Sequence, residues 1–362
     1  MNAVSYYKHL PTEDPESFID VRVDKPKPGP RDLLVQVRAI SVNPVDTKIR
    51  RGGGPGQPSG ELKILGWDAA GVVVEVGSEV TLFAPGDEVY YAGSLDRPGS
   101  YAEFQAVDER IVGRKPASLS FADAAALPLT TITAWELLFD RFSLPTTSAS
   151  QGTLLIIGGA GGVGSIAIQL AKKLTGLKVI ATASRPETVE WCRKMGADEV
   201  IDHRQPLGAQ VKAIVPEGAS HVLALTKTED HFDEIIEAVA PEAAIGLIEN
   251  VARPLDINKL KPKSLSLHWE FMFGRARPQS PKMSEQGRLL NRVAELVDAG
   301  KIRSTAVSHL GQINAGNLRQ AHALVESGKA MGKVVLEGGG ARGSGTALDW
   351  PSFHGFNRCC SS

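Results

Sequence analysis

Between Arg31 and Val107, apolar residues alternate with polar ones in short runs, LLVQVRAISV, AAGVVVEVG, GDEVYYAG and SYAEFQAV, each broken by Gly, Pro or Asp. A period of two punctuated by turn formers predicts short antiparallel strands and a mainly β, barrel-like first region. KPGPRD (27–32) and the glycine-rich RGGGPGQPSG (51–60) read as loops. After SLSFADAAALPLTTITAWELLFDRF the period lengthens, and strands then alternate with helices: TLLIIG, GSIAIQLAKKL, KVIATAS, PETVEWCRKMG, EVID, HVLAL, HFDEIIEAVA and AAIGLIEN. That alternation predicts an α/β unit with a parallel, doubly wound sheet.

A second change follows LKPKSLSLHWEFMFG. Two helices, SEQGRLLNRVAELVDAGKI and GNLRQAHALVESG, flank a polar stretch and lead to a last strand, GKVVLE, suited to completing the first β region. The organisation expected is 1–128 for the first part of a β domain, 129–270 for the α/β unit, and 271–337 for a return to the β domain. Residues 338–362 carry no period and are expected to be a disordered tail.

The chain has 362 residues, enough for two domains with separate cores, and a formal net charge of −1. This balance gives no basic footprint for nucleic acid or an anionic membrane. No run approaches the length of a membrane helix and the start has no signal-like pattern, so a cytoplasmic protein is expected. Three cysteines, Cys192, Cys359 and Cys360, form no disulfide framework and no CxxC metal pair.

The motif with most physical content is Gly159-Ala160-Gly161-Gly162-Val163-Gly164, a GxGxxG between a buried strand and an amphipathic helix. The first glycine allows a tight turn, the second lets a pyrophosphate approach the backbone, and the third lets helix and strand pack closely. At the end of the next strand, where NAD-selective folds carry an acid, stand Ala183, Ser184 and Arg185. Ser184 and Arg185 suit a 2′-phosphate, so NADPH is expected over NADH, although Arg185 could instead be a solvated helix-start residue.

With these segments in place, the chain resembles the medium-chain dehydrogenase/reductase superfamily over roughly residues 30 to 337. The likeness is carried by SVNPVDTKIRRG, ILGWDAAGVVVEVG, GDEVYYAG, GSYAEFQAV, AAALPLTTITAWELL, GGAGGVG, KPKSLSLHWEFMF and GKVVL. It is strongest to the zinc-independent quinone oxidoreductase branch and the zinc-type alcohol dehydrogenase-like proteins. The resemblance implies a GroES-like β-barrel catalytic domain joined to a Rossmann NADP-binding domain, and a homodimer paired edge to edge through the last strand, AAIGLIEN, extended by SLHWEFMF.

Zinc-dependent members hold their metal where this chain has Asn43, Trp67 and Leu129 or a neighbour, with Asp68 at the acid of the GHE motif. Trp and Leu offer no lone pair and an Asn carbonyl alone is a poor ligand, so no zinc is expected. Without a Lewis acid, acceptors that spread the incoming charge over a conjugated system remain open, namely quinones and α,β-unsaturated carbonyls. The resemblance sets Asn43, Asp46 and Thr133 beside the nicotinamide and Trp67 on the wall of the vacated pocket. Phe271 and Phe273 would stack near the ring or serve the subunit interface.

Several of these residues admit plainer roles. Trp67 and Phe271 suit a core. Asp46 could be an acid, a partner of Lys48 or a turn residue. Tyr90, Tyr91 and Tyr101 could give a proton or fill a barrel, His203, His221 and His231 read as surface or strand-end residues, and Cys192 as packing. Two other activities use the same scaffold: an enoyl-thioester reductase, and a non-catalytic NADPH-binding protein.

Overall fold

A computed structural model describes residues 1–52, 61–147, 149–276 and 280–338. From residue 53 on, the expected 51–60 loop lies outside the described residues; so do all but the first residue of the expected tail, and with it Cys359 and Cys360.

The alternating runs of the first region are strands: β3 (Asp32–Val42), β4 (Asp68–Val76), β5 (Glu88–Ala92), β6 (Phe104–Asp108) and β7 (Val112–Arg114). The sequence reading missed a preceding pair, β1 (Asn2–Ser5) and β2 (Ile19–Arg22), which forms its own antiparallel sheet. It also missed the short helix α1 (Pro44–Arg50), which proline starts at its first position. Helices α2 (Phe121–Ala125) and α3 (Pro128–Trp135) lead into a π-helical turn over Glu136–Arg141.

The α/β unit follows as β8 (Thr153–Ile157), α4 (Gly162–Leu174), β9 (Lys178–Thr182), α5 (Pro186–Met195), β10 (Glu199–Ile201), α6 (Leu207–Ile214), β11 (Ala219–Ala224), α7 (Thr228–Ala238), β12 (Val239–Leu247) and β13 (Ser266–Trp269). The chain then runs through α8 (Met283–Asp298), β14 (Ala306–Gln312), α9 (Ala315–Glu326) and β15 (Lys333–Glu337).

Strands β8 to β13 make a six-stranded sheet in the order β10-β9-β8-β11-β12-β13, parallel throughout. The order in which successive strands are added reverses between β8 and β11, so the carboxyl end of β8, where the glycine motif lies, is the switch point at which such sheets take ligands. The edge beyond β12 corrects the sequence reading. AAIGLIEN is an inner strand with β11 on one side and β13 on the other, and Ser266–Trp269 is the outermost strand.

The other large sheet has seven strands, six in the order β14-β15-β3-β4-β5-β7 and β6 beside β3. On its edge away from β4, β3 pairs its first half with β6 (Asp32↔Asp108 to Gln36↔Phe104) and its second half with β15 (Ala39↔Glu337 to Val42↔Val334). Register irregularities at Leu34/Val35 and Val37/Ala39 bend β3 between the halves, and this bend lets one strand serve two partners in a curled sheet. The last strand therefore does return to the first β region, and it brings Lys333 to the end of β3.

Candidate active site

Local sequence builds the glycine loop. Gly158 N–H donates to the Thr182 hydroxyl (3.1 Å) and Gly159 N–H to the Thr182 carbonyl (3.1 Å), which pins the chain to β9 as it leaves β8. The positive φ of the turn falls on Gly158 (85°), one residue before the motif. Gly159 serves packing instead, because a Cβ there would lie 2.7 Å from that of Ala181. A Cβ on Gly161 would meet a single atom, the Gly158 oxygen at 3.5 Å, so the backbone is open at that residue. At Gly164 a Cβ would come within 2.4 Å of the Gly158 oxygen, so the third glycine sets the close helix–strand approach expected of it. Among the described residues no side chain caps the start of α4, which leaves its first N–H groups available to an anion. The loop therefore fits a dinucleotide pyrophosphate.

At the end of β9, Arg185 is partly exposed, pairs with Glu187 (3.2 Å) and donates to the Lys329 carbonyl (2.9 Å). The parallel register Thr182↔Ile201 sets β10 beside it, and Arg204 donates to the Ser184 carbonyl (3.0 Å). Arg204 was missed because only the pairing of two strands brings it to Ser184. Asp202 holds it bidentately, and that pairing lowers the Asp202 carboxyl to about 2.

The LGWDAAG turn centres on Asp68, which is fully buried. Its Oδ1 accepts the Leu129 N–H (2.7 Å) at the start of α3, where a negative charge suits the uncapped helix end. Its Oδ2 accepts from the Asn43 amide (2.8 Å) and lies 3.0 Å from the Lys333 ammonium. Lys333 also donates to the Val42 carbonyl (3.0 Å) and to Asn43 Oδ1. Sequence reading missed Lys333, whose only local signal is a lysine opening an apolar strand. Its stem also packs on the phosphate loop, since a Cβ on Gly162 would lie 2.8 Å from Lys333 Cδ.

Of the three residues expected from the resemblance to stand at zinc-ligand positions, Asn43 has its amide oxygen engaged by Lys333 and Leu129 has no donor atom. Trp67 is buried, gives its indole N–H to the Ser94 carbonyl (3.0 Å), and packs edge-on against Phe273 with ring centroids 6.0 Å apart. Among the described residues no group of three or more His, Cys, Asp or Glu side chains is arranged to hold a metal ion. The donor set at this turn does not fit zinc.

Asp46 does not pair with Lys48, which instead bridges to Glu249 (2.8 Å). Asp46 lies in the first turn of α1 and its Oδ2 accepts the Asn43 N–H (2.6 Å), so the turn role holds, while the Tyr101 hydroxyl donates to the same oxygen (3.1 Å). Burial raises the Asp46 carboxyl to about 7, and neighbouring Asp68 adds to the rise against the pull of Lys333. Tyr101 is thus tied to Asp46. Tyr90 ties to the Leu290 carbonyl (2.6 Å) in the core, and buried Tyr91 has no hydrogen-bond partner among the described residues. Cys192 is buried, its thiol pushed up to about 12, which leaves it a packing residue.

Thr133 is buried on α3 and lies beside Glu270, the acid of HWEFMF. Burial raises Glu270 well above the carboxylate range, and nearby Glu136, 3.3 Å from Arg275, is raised to about 7 by burial. Phe273 is buried against Trp67, whereas Phe271 is 52% exposed and 5.6 Å from Phe273, ring to ring. The geometry brings Asn43, Asp46, Asp68 and Lys333 together and Trp67 with Phe273, and leaves Phe271 at the rim. A cavity of about 570 Å³ lined by His9, Thr12, Arg50, Arg51 and Glu326 includes none of the expected catalytic residues.

Two family models match, the alcohol dehydrogenase GroES-like domain over residues 29–117 and the zinc-binding dehydrogenase over 162–286. The chain is 41% identical over 338 residues to a zinc-type alcohol dehydrogenase-like protein of Staphylococcus aureus, covering 93% of this chain and 99% of that one. It belongs to the medium-chain dehydrogenase/reductase superfamily. Among solved members, a Rhizobium etli protein assigned to the zinc-dependent alcohol dehydrogenases is 53% identical with a TM-score of 0.88, over 94% of this chain and 98% of that one. The Escherichia coli quinone oxidoreductase complexed with NADPH is 26% identical with a TM-score of 0.79, over 93% and 100%. A tomato 2-methylene-furan-3-one reductase is 32% identical over 84% of this chain and 71% of its own length. The chain is thus an oxidoreductase of this superfamily with a GroES-like domain and a Rossmann-type sheet.

Proposed function

We propose that this superfamily member is an NADPH-dependent, zinc-independent reductase that transfers hydride to a quinone or an α,β-unsaturated carbonyl. One observation carries the reading: at the turn where metal enzymes polarise an oxygen, Asp68 is closed off by Lys333, Asn43 and the Leu129 N–H, with Trp67 beside it. Reduction without a Lewis acid is easiest for conjugated acceptors, and the names of the E. coli and tomato relatives accord with such acceptors.

Bound NADPH supplies the hydride. The residues of the chain orient and enclose: the 159–164 loop and the start of α4 hold the pyrophosphate, and Ser184, Arg185 and Arg204 receive the 2′-phosphate. Asn43, Asp46 and Thr133 border the nicotinamide, while Trp67 and Phe273 form an apolar wall that excludes water. The chain is expected to act in the cytoplasm as a homodimer through β13, where Trp269 and Phe271 are half exposed beside an open sheet edge.

The test is oxidation of NADPH and NADH side by side, with 1,4-naphthoquinone and a simple enone, after exhaustive chelation and a metal assay. NADPH turnover that survives chelation is expected. No turnover with either cofactor, or activity that follows stoichiometric zinc, would sink the reading.

A further inference from the structure

We propose that His322, on the C-terminal helix α9, is a positioning residue for Asp46, acting through the Tyr101 hydroxyl so that the acid proton of Asp46 resides on Oδ1. The argument begins at Arg50, whose side chain is wholly buried. Its guanidinium donates to the Leu10 carbonyl and to Glu326, and its Nε–H points at His322 Nδ1 (3.4 Å). An arginine offers donors only, so Nδ1 must present its lone pair and the ring hydrogen must sit on Nε2. Nε2 lies 3.1 Å from the Tyr101 oxygen and therefore donates to it. Tyr101 in turn gives its own O–H to Asp46 Oδ2 (3.1 Å). The chain has one direction, from Arg50 to Asp46.

That direction decides where a proton on Asp46 can be. Oδ2 already accepts from the Asn43 N–H and from Tyr101. A proton on Oδ2 would leave the Tyr101 O–H without an acceptor, because the histidine nitrogen facing it is a donor. Oδ1 is buried and has no hydrogen-bond partner among the described residues, so a proton there displaces neither of the bonds that Oδ2 accepts, and an acceptor atom of the substrate would complete it.

Burial first and the neighbouring Asp68 carboxylate of β4 favour a proton on Asp46, against the pull of the Asn43 N–H, the Lys333 ammonium of β15 and the Tyr101 hydroxyl, behind which stand His322 of α9 and Arg50 of α1. His322 is kept neutral by burial and then by Arg50, and Arg50 is balanced by Glu326. With Asp46 and Asp68 both ionised, a single ammonium would face two buried carboxylates, whereas a proton on Asp46 leaves Asp68 and Lys333 as a matched pair. Phe18 packs edge-on against His322, ring centroids 4.7 Å apart, and so holds the imidazole in register.

The inference rests on the reductase reading. Addition of hydride to a conjugated acceptor leaves an enolate or hydroquinone anion. The Asp46 Oδ1–H bond breaks, its electron pair stays on the carboxylate, the proton completes the product, and solvent later restores the acid.

The experiment measures kcat/KM against pH for NADPH with 1,4-naphthoquinone, and the Asp46 carboxyl titration by ¹³C NMR, in wild type, His322→Leu, His322→Gln and Tyr101→Phe. Loss of the donor to Tyr101 weakens the hydrogen bond to the carboxylate. His322→Leu and Tyr101→Phe are therefore expected to move the carboxyl titration and the pH limb upward by about half a unit or more. Gln, which can accept from Arg50 and donate to Tyr101, should restore both. A uniform loss of activity with both titrations unmoved would overturn the proposal. If wild type does not turn over, the reductase reading fails and the NMR titration alone still decides the His322 role. Tyr101→Phe decides it if His322→Leu does not fold.

Discussion

The Lys333 ammonium lies 3.0 Å from the Asp68 carboxylate, the two side chains 3% and 0% exposed, and this pair joins the first residue of the last strand to the first residue of β4. A buried ion pair of this kind contributes little net stability while intact, because desolvation offsets the attraction. Breaking it is a different matter.

Lys333→Met leaves Asp68 buried without its cation and is expected to cost about 3–5 kcal/mol in denaturant unfolding. The double variant Lys333→Met with Asp68→Asn should recover most of that loss. Equal stability of single and double variants would show that the pair is not coupled.

Exchange of Arg185 and Arg204 for Ala addresses cofactor choice. Arg204 donates to the Ser184 carbonyl and Arg185 follows Ser184 in the chain, so the KM for NADPH is expected to rise about tenfold or more while that for NADH stays unchanged. Steady-state kinetics with both cofactors check this, and a parallel rise for NADH would place the 2′-phosphate elsewhere.

Gly164→Ala puts a methyl group 2.4 Å from the Gly158 oxygen and 2.6 Å from the Gly159 oxygen. Neither backbone atom can move without opening the loop, so a loss of about 1–3 kcal/mol is expected together with loss of NADPH binding by fluorescence titration. Wild-type binding by the alanine variant would mean that the loop is not the phosphate cradle.

Asp46 gives a pH dependence with a definite sign. Its folded-state value of about 7 lies above the ordinary 3.8, so the group stabilises the fold below 3.8 and loses that contribution as pH rises through 7. Asp46→Asn keeps the oxygen that accepts from Asn43 and Tyr101 and removes the titration. The thermal stability of the variant is expected to overtake that of wild type between pH 4 and 8, by up to a few kcal/mol, with Glu136 leaving a similar slope in both proteins. Parallel stability curves would contradict the raised value.

What the sequence determined by itself is local. The two-residue period of β3 to β5, the strand–helix alternation of the Rossmann-type sheet and the 159–164 loop rest on contacts between near neighbours, so their signals survive in the linear pattern. That the Trp67 and Leu129 side chains carry no lone pair suited to a metal is a property of residue type and needs no fold. The tertiary structure decided how remote segments meet. It set Lys333 against Asp68, His322 behind Tyr101, Arg204 beside Ser184 and Glu270 beside Thr133, and it put Ser266–Trp269 outside AAIGLIEN at the sheet edge. Desolvation raises the Asp46 carboxyl only once strands and helices from both ends of the chain have closed around it. A lysine, a histidine or an aspartate acquires its role from the charges buried beside it, and no linear spacing encodes which charges those will be.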